Sequence, residues 1–290
     1  MGIKVLNYED RPKSLKMDEK SFNHQVSRGD RFEFGKNWKS YLNTLTDEKI
    51  EIAKQSLIEM LECEDLAGKT FLDVGSGSGL FSLAATRLGA FVYSFDFDPK
   101  SVKCTEFLKE QYCPQSEWII EEGSILKKEY VYSLGKFDIV YSWGVLHHTG
   151  NLNYALENVE IAVKEKGKLF IAIYNDQGNT SERWRKVKKI YNSGFIGKIF
   201  IISFFIPYFF LRGFIGDIVR FRNPFKRYKE YKNSRGMSII HDWLDWLGGL
   251  PFEVASPETI FEYFKKKNYT LTKLKTKTSL GCNQFVFQKS

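Results

Sequence analysis

Residues 71–79 narrow the possible folds more than any other stretch. A short apolar run, Phe71-Leu72-Asp73-Val74, ends in glycines at Gly75, Gly77 and Gly79, with Ser76 and Ser78 between them, and an apolar helical pattern begins at Leu80. Alternating glycines let the backbone turn tightly at the carboxyl end of a strand and let a ligand touch the main chain. A dinucleotide fingerprint needs its third glycine one residue later, where Leu80 stands, so the spacing speaks against a pyrophosphate cradle. A glycine-rich turn that binds nothing is the plain alternative.

The elements that follow suit a parallel α/β sheet. Phe91–Phe95 is an aromatic and β-branched strand ending at Asp96, with Phe97 beside it. An acid about 20 residues past the glycine loop can accept hydrogen bonds from both ribose hydroxyls. Asp98-Pro99 opens a helix, with Asp98 as its cap rather than a ligand. A third strand, Trp118–Ile120, leads into Glu122-Gly123-Ser124-Ile125. The fourth, Phe137–Ser142, runs into Trp143-Gly144-Val145-Leu146-His147-His148, and the fifth, Lys168–Ile173, ends at Tyr174. Ligands of such sheets bind outside the carboxyl ends of the strands, where the glycine loop, Asp96, Ser142–His148 and Tyr174 would gather.

The D-x-G-x-G-x-G run at Asp73–Gly79, with Asp96 and the fourth-strand loop, resembles the class I S-adenosylmethionine-dependent methyltransferases over residues 66–174. Strands expected at 269–276 and 283–288 close the same sheet. The resemblance implies a doubly wound, Rossmann-like α/β fold of seven mostly parallel strands, with S-adenosyl-L-methionine as cofactor. Its implied contacts are Asp73, Gly75, Ser76, Gly77, Gly79, Asp96, Phe97, Gly123, Ser124, Ile125, Ser142 and Trp143. Many members carry Gly-Asp after the third strand, where the acid reads adenine; Ser124 replaces it here, so backbone contact at Gly123–Ile125 is expected instead. The fourth-strand loop is similar to that of the polyprenyl-phenol O-methyltransferases of quinone biosynthesis, in which a histidine follows an acid-x-x-acid run. His148 matches that histidine, while Gly144 and His147 occupy the acid positions, so no metal is expected.

Methyl transfer from a sulfonium is an in-line displacement that needs an aligned nucleophile and, for a hydroxyl, a group to take its proton. Histidine suits that task near neutral pH. His148 is the first candidate and His147 the second, one expected to face the pocket and the other to turn away. His241, beside Asp242, ranks below them. Trp38, Tyr174 and Trp184 are candidate substrate contacts. Hydrogen bonding within the loop alone is the alternative for the histidine pair.

Four regions are expected: a cap segment at 1–65, the cofactor-binding core at 66–174, a lid or substrate insertion at 175–255, and a final helix with closing strands at 256–290. Residues 1–46 read as polar and irregular, although the aromatic run Arg31–Trp38 can act as a lid. Asp47–Leu61 reads as an amphipathic helix with Ile50, Ala53, Leu57, Ile58 and Leu61 on one face. Ser256-Pro257-Glu258 starts the helix that normally follows strand five. Inside the insertion, Ser181–Tyr191 reads as a helix carrying Trp184, Val187 and Ile190. Residues 199–211 form an apolar run that reads as too short to span a bilayer and interrupted by Pro207. It is either the spine of the lid or a segment that dips into one leaflet.

Hydrophobic residues make up 43% of the 290, enough for a full core. Cys63, Cys104, Cys113 and Cys282 lack zinc-site spacing, and no signal peptide is visible, so a cytoplasmic protein is expected, with peripheral membrane contact in view. The net charge of +8 is concentrated in part at 219–235, where basic and aromatic residues interleave. Such a segment can track the phosphates of RNA or of a lipid surface, or be a solvated face. The favoured reading is O-methylation of a small-molecule or lipid-linked acceptor, with an anionic membrane surface met by 195–235. A tRNA or RNA methyltransferase and a non-catalytic cofactor-binding protein are the alternatives.

Overall fold

The computed structural model describes residues 19–226 and 239–290, without the side chains of residues 19, 20, 39, 40, 241, 242 and 245. The N-terminal part holds α1 (Glu19–Ser27), α2 (Gly35–Leu42) and α3 (Asp47–Leu61). Two helices therefore lie where the sequence reads as irregular. Neither has a long apolar stripe, and α2 gains its order by docking on the core through Trp38 and the backbone of Gly35. α3 matches its expected bounds, with Thr46 accepting from the Lys49 N–H as N-cap and Met60 joining the buried face. Fully burying each large apolar side chain in that stripe contributes about 1.5–3 kcal/mol.

The core alternates as β1 (Thr70–Val74), α4 (Leu80–Arg87), β2 (Phe91–Asp96), α5 (Pro99–Tyr112), β3 (Trp118–Glu122), α6 (Lys128–Leu134), β4 (Phe137–Trp143), α7 (Leu152–Ile161) and β5 (Val163–Tyr174). The insertion holds α8 (Asn179–Asn192), α9 (Phe195–Val219) and α10 (Ile239–Gly248), and α11 (Pro257–Lys265), β6 (Tyr269–Lys275) and β7 (Cys282–Lys289) complete the chain. The sheet has seven strands in the order β3-β2-β1-β4-β5-β7-β6. β1 to β5 pair in parallel and β7 runs antiparallel to its neighbours. β5 starts earlier than expected because Val163 pairs with Phe137 ahead of a register shift. Successive side chains of a strand point to opposite faces. Leu72 and Val74 accordingly join one core with α6, α7 and α11, and Phe71 joins the other with α3, α4 and α5.

The insertion has its own small core of Tyr191, Ile201 and Leu247 with Trp184 and Phe205 packed on it. Of the apolar residues read on α8, Ile190 is exposed. The inward stripe of α8 is Ser181, Trp184, Lys188 and Tyr191, so a fully buried lysine takes an apolar slot. The 199–211 run is also longer than expected: α9 has 25 residues and continues through Pro207. Residues 227–235 of the basic segment lie outside the described residues.

Candidate functional site

At the carboxyl end of β1 the three glycines all adopt left-handed backbone, with φ of 79°, 56° and 82° at Gly75, Gly77 and Gly79. A Cβ on Gly75 would lie 2.4 Å from Val145, and one on Gly79 only 2.9 Å from the Thr105 Cα. Gly75 and Ser76 donate their N–H groups to the Phe95 carbonyl at 2.8 and 3.1 Å, and the Ser76 and Thr105 hydroxyls share a 3.0 Å bond. Asp73 sits buried beneath the loop and accepts from the Ser82 hydroxyl at 2.6 Å; burial pushes its carboxyl up to about 7.

Asp96 at the tip of β2 accepts the Gly77 N–H on one oxygen and the Asp98 N–H on the other, each at 2.8 Å. It keeps some exposed surface, yet the surrounding protein pushes its carboxyl up to about 6, against those two hydrogen bonds. Asp98 is a cap as expected: it accepts from Lys100 N–H at 2.9 Å and, with its other oxygen, from Gly35 N–H at 2.8 Å. That second bond ties α2 to the core. A Cβ on Gly77 would stand 3.1 Å from the Trp38 indole, so α2 lies directly over the glycine loop.

Arg31 was not singled out in the sequence, although it opens the aromatic run that includes Trp38. Its guanidinium donates to Gln25 Oε1 at 2.8 Å and to the carbonyls of His148 and Thr149 at 3.1 and 3.4 Å. It also stacks 4.7 Å over the Phe97 ring. Burial draws its pKa down to about 10 while Asp96 and Asp98 hold it up. One N-terminal side chain thus clasps the β2 and β4 loops together.

The histidines lie on a short 3₁₀ turn, Leu146–His148, after β4. Neither turns away. Their rings are 4.6 Å apart and both contact the Tyr174 ring, His147 at 4.0 Å and His148 at 5.3 Å, because Tyr174 at the end of β5 wedges beside the turn. His148 Nδ1 lies 2.6 Å from the Pro251 carbonyl. A carbonyl can only accept, so Nδ1 carries the proton and Nε2 keeps its lone pair. Burial pushes the pKa of His148 down to about 3, with Lys188 and Arg31 adding to the drop against the Pro251 bond. His147 has the opposite tautomer: Nδ1 accepts the Tyr174 N–H at 3.3 Å, which leaves Nε2–H as a buried donor with no hydrogen-bond partner among the described residues. Burial again holds its pKa well below the usual value, with His148 and Lys188 adding to this and the nearby Ala172 backbone opposing it.

The end of the insertion builds the rest of this chamber. Glu253 N–H donates to the His147 carbonyl at 3.0 Å, and its carboxylate accepts from the Gly150 and Leu152 N–H groups at 3.1 and 3.0 Å. Lys188 donates to the Trp246 carbonyl and lies 4.5 Å from the Trp246 ring and 4.9 Å from that of Phe252. Glu253 and Lys188 were missed in the sequence; only the lysine at an inward helical position left a signal there.

The remaining candidates are placed less centrally. Ser142 is fully buried and donates its hydroxyl to the Val74 carbonyl at 3.0 Å, and Trp143 is 43% exposed. A side chain on Gly123 would collide with Tyr130, and the Ser124 hydroxyl accepts from Leu126 N–H at 3.2 Å. Ile125 is buried with its carbonyl accepting from Asn158. Trp184 is one ring removed from the histidines, 5.4 Å from Trp246, which is 5.6 Å from Tyr174. The His241 side chain lies outside the described residues.

These residues fit S-adenosylmethionine. A carboxylate has about four acceptor positions, and Asp96 uses two on backbone amides, which leaves capacity for a ribose diol beside a loop whose three glycines carry no side chain. The methyltransferase domain family matches residues 65–234. The chain belongs to that family. Its class is the S-adenosylmethionine-dependent one, in agreement with the sheet order and the glycine loop. The chain is similar to a ubiquinone biosynthesis O-methyltransferase from Xanthomonas oryzae pv. oryzae (strain PXO99A), 32% identical over 111 residues covering 38% of this chain and 45% of the relative. It is also similar to a ribosomal protein L11 methyltransferase from Bacillus cytotoxicus, 34% identical over 30% of this chain and 32% of the relative. The match thus spans less than half of each relative's length. Among solved structures, the magnesium protoporphyrin IX methyltransferase of Synechocystis PCC 6803 with bound SAM shares the fold at a TM-score of 0.50 and 12% or lower identity, covering 95% of this chain and 99% of that one.

Proposed function

We propose that this methyltransferase domain methylates a hydroxyl oxygen of a small-molecule or lipid-linked acceptor. The observation that carries this reading is the pair of complementary tautomers in one buried aromatic chamber: a lone pair on His148 Nε2 beside an unpartnered donor on His147 Nε2. A hydroxyl is both donor and acceptor, so it can satisfy the two rings together. The similarity to ubiquinone biosynthesis O-methyltransferases, though partial, favours the same atom type.

When bound, S-adenosylmethionine supplies an electrophilic methyl group. Gly75–Gly79 would lie against it, and Asp96 would hold its ribose hydroxyls. Trp38 and Arg31 would close the N-terminal helices over it and exclude water. His148 accepts the hydrogen bond of the acceptor hydroxyl, aligns its oxygen, and takes the proton as that oxygen becomes positively charged. The Pro251 carbonyl holds the imidazole in the required tautomer. A low ring pKa keeps the lone pair free across the physiological range, and the reaction itself supplies the acidity that drives proton transfer.

The test compares lipids, metabolites and nucleosides from deletion and parent cells fed methyl-labelled methionine. The reading expects a labelled O-methyl species that disappears on deletion and returns with wild type but not with His148→Gln. Loss of label from nucleosides alone would replace it with the RNA reading.

A further inference from the structure

We propose that the outer face of α9, with the cationic segment after it, docks in the plane of an anionic lipid bilayer. α9 has 25 residues, and its most apolar stretch has mean hydropathy 1.9 with only 6% buried inside the protein. The helix has two faces. Ile201 is buried, and Phe205 and Phe209 pack on Trp184 at 5.3 and 6.1 Å, with Phe209 also 5.5 Å from Trp243. The opposite stripe, Phe200, Phe204, Leu211, Ile215 and Ile218, follows helical spacing and is 52–65% exposed. The insertion's own core therefore leaves this stripe uncovered. An open hollow of about 570 Å³ lined by Ile190, Phe195, Ile196 and Phe200 continues it at the α8–α9 junction.

Charge selects the occupant. Every exposed charged side chain between residues 195 and 226 is cationic: Lys198, Arg212, Arg220, Arg222 and Lys226. Asp217, the acid in this stretch, is buried. A second copy meeting this face across a two-fold axis would bring the same cations against one another, with no exposed acid among the described residues 195–226 to neutralise them. An anionic headgroup layer supplies both the apolar depth and the opposite charge. Docking in the plane rather than crossing follows from the inner face, since α9 is held against α8, whose outward positions include the exposed Arg183, Lys186 and Lys189.

The docked face also backs onto the histidine chamber through Trp184, Trp246 and Tyr174. If the acceptor is lipid-linked, as the proposed function has it, the helix sets the active site beside its supply. Vesicle binding itself needs neither cofactor nor acceptor, so it stands or falls separately.

The full-length protein is floated with phosphatidylcholine vesicles with and without phosphatidylglycerol, at low and physiological salt. It is expected to float with the anionic vesicles at low salt and to bind less as salt rises. Each cation neutralised in Arg220→Gln, Arg222→Gln and Lys226→Gln is expected to weaken binding about fivefold. Phe200→Ser with Phe204→Ser is expected to abolish flotation while circular dichroism and melting stay as in wild type, since both rings are exposed. The proposal is overturned if wild type stays unfloated on anionic vesicles at low salt. It is equally overturned if light scattering shows a dimer that the phenylalanine pair dissolves, or if the arginine variants lose tRNA binding while no vesicle is bound.

Discussion

Asp96 and His148 show how single side chains take opposite electrostatic positions in one crevice. Asp96 is expected to anchor the cofactor by hydrogen bonds to a charged group, each worth about 1.5–3 kcal/mol. Asp96→Ala should therefore raise the cofactor dissociation constant by more than tenfold in calorimetric titration, and also lower the melting temperature because the Gly77 and Asp98 N–H groups lose their acceptor; equal affinity would remove Asp96 from the site. His148, with its pKa pushed down to about 3, should itself add no titration step to turnover between pH 8 and pH 5, in contrast to a histidine titrating near its usual value, so that a step near pH 6 belongs to Asp96. The same shift is a stability statement. A lowered folded pKa favours the neutral ring, so its contribution is complete above pH 6.5 and is lost as pH falls from 6.5 toward 3. At about 1.36 kcal/mol per pH unit, wild type should lose roughly 2 kcal/mol by pH 5 from this ring alone. Asp73 and Asp96, with raised values, act in the opposite direction as pH falls through about 7 and 6. The difference between wild type and His148→Gln in melting temperature against pH isolates the histidine: the gap should narrow with acid.

At the scale of elements, the turn from β1 to α4 and the N-terminal strap carry the site. Gly79 caps α4 in left-handed backbone with the Thr105 Cα in the path of any Cβ. Gly79→Ala should cost about 1–3 kcal/mol from backbone strain, with steric displacement of α5 added. Gly68 has a similar φ of 69° but open space around it, so Gly68→Ala is expected to be the milder change in a thermal scan. The strap is fastened by Arg31 and by the Gly35–Asp98 bond. Arg31→Met keeps the stacking on Phe97 but removes hydrogen bonds to the β4 loop. It should weaken cofactor binding by roughly tenfold, the worth of about one charge-assisted hydrogen bond, and make α2 amides exchange faster with solvent.

On the scale of the whole molecule, two cores flank the sheet and a third, smaller one holds the insertion together. Few contacts link the third to the first two, so its stability should be partly independent. Trp184→Ala would open a cavity among Phe205, Phe209 and Trp246, a change that costs about 3–5 kcal/mol in a packed core. Hydrogen exchange should then quicken across α8 to α10 while amides of β1, β4 and β5 stay protected. Uniform quickening would show that the insertion and the sheet unfold as one unit.

The α/β sheet, its seven strands, the glycine loop, Asp96 and the Asp98 and Ser256 caps were legible in the sequence, because each rests on local chemistry: strand alternation, positive φ at glycine, and short polar groups that accept from their own helix. The insertion and the strap were not legible in the same way. Which residues of α8 face inward depends on what packs there, and Lys188 joins that stripe while Ile190 stays outside it because Trp246 and Phe252 give the lysine ammonium a carbonyl and aromatic faces. That both histidines converge depends on Tyr174 arriving from β5 and Pro251 from the end of the insertion, contacts spanning 27 and 103 positions in sequence. Arg31 becomes a clasp only when helices far from the sheet in sequence close over it. Local patterns determine what a segment can become, and long-range contacts decide which face it shows and what it touches.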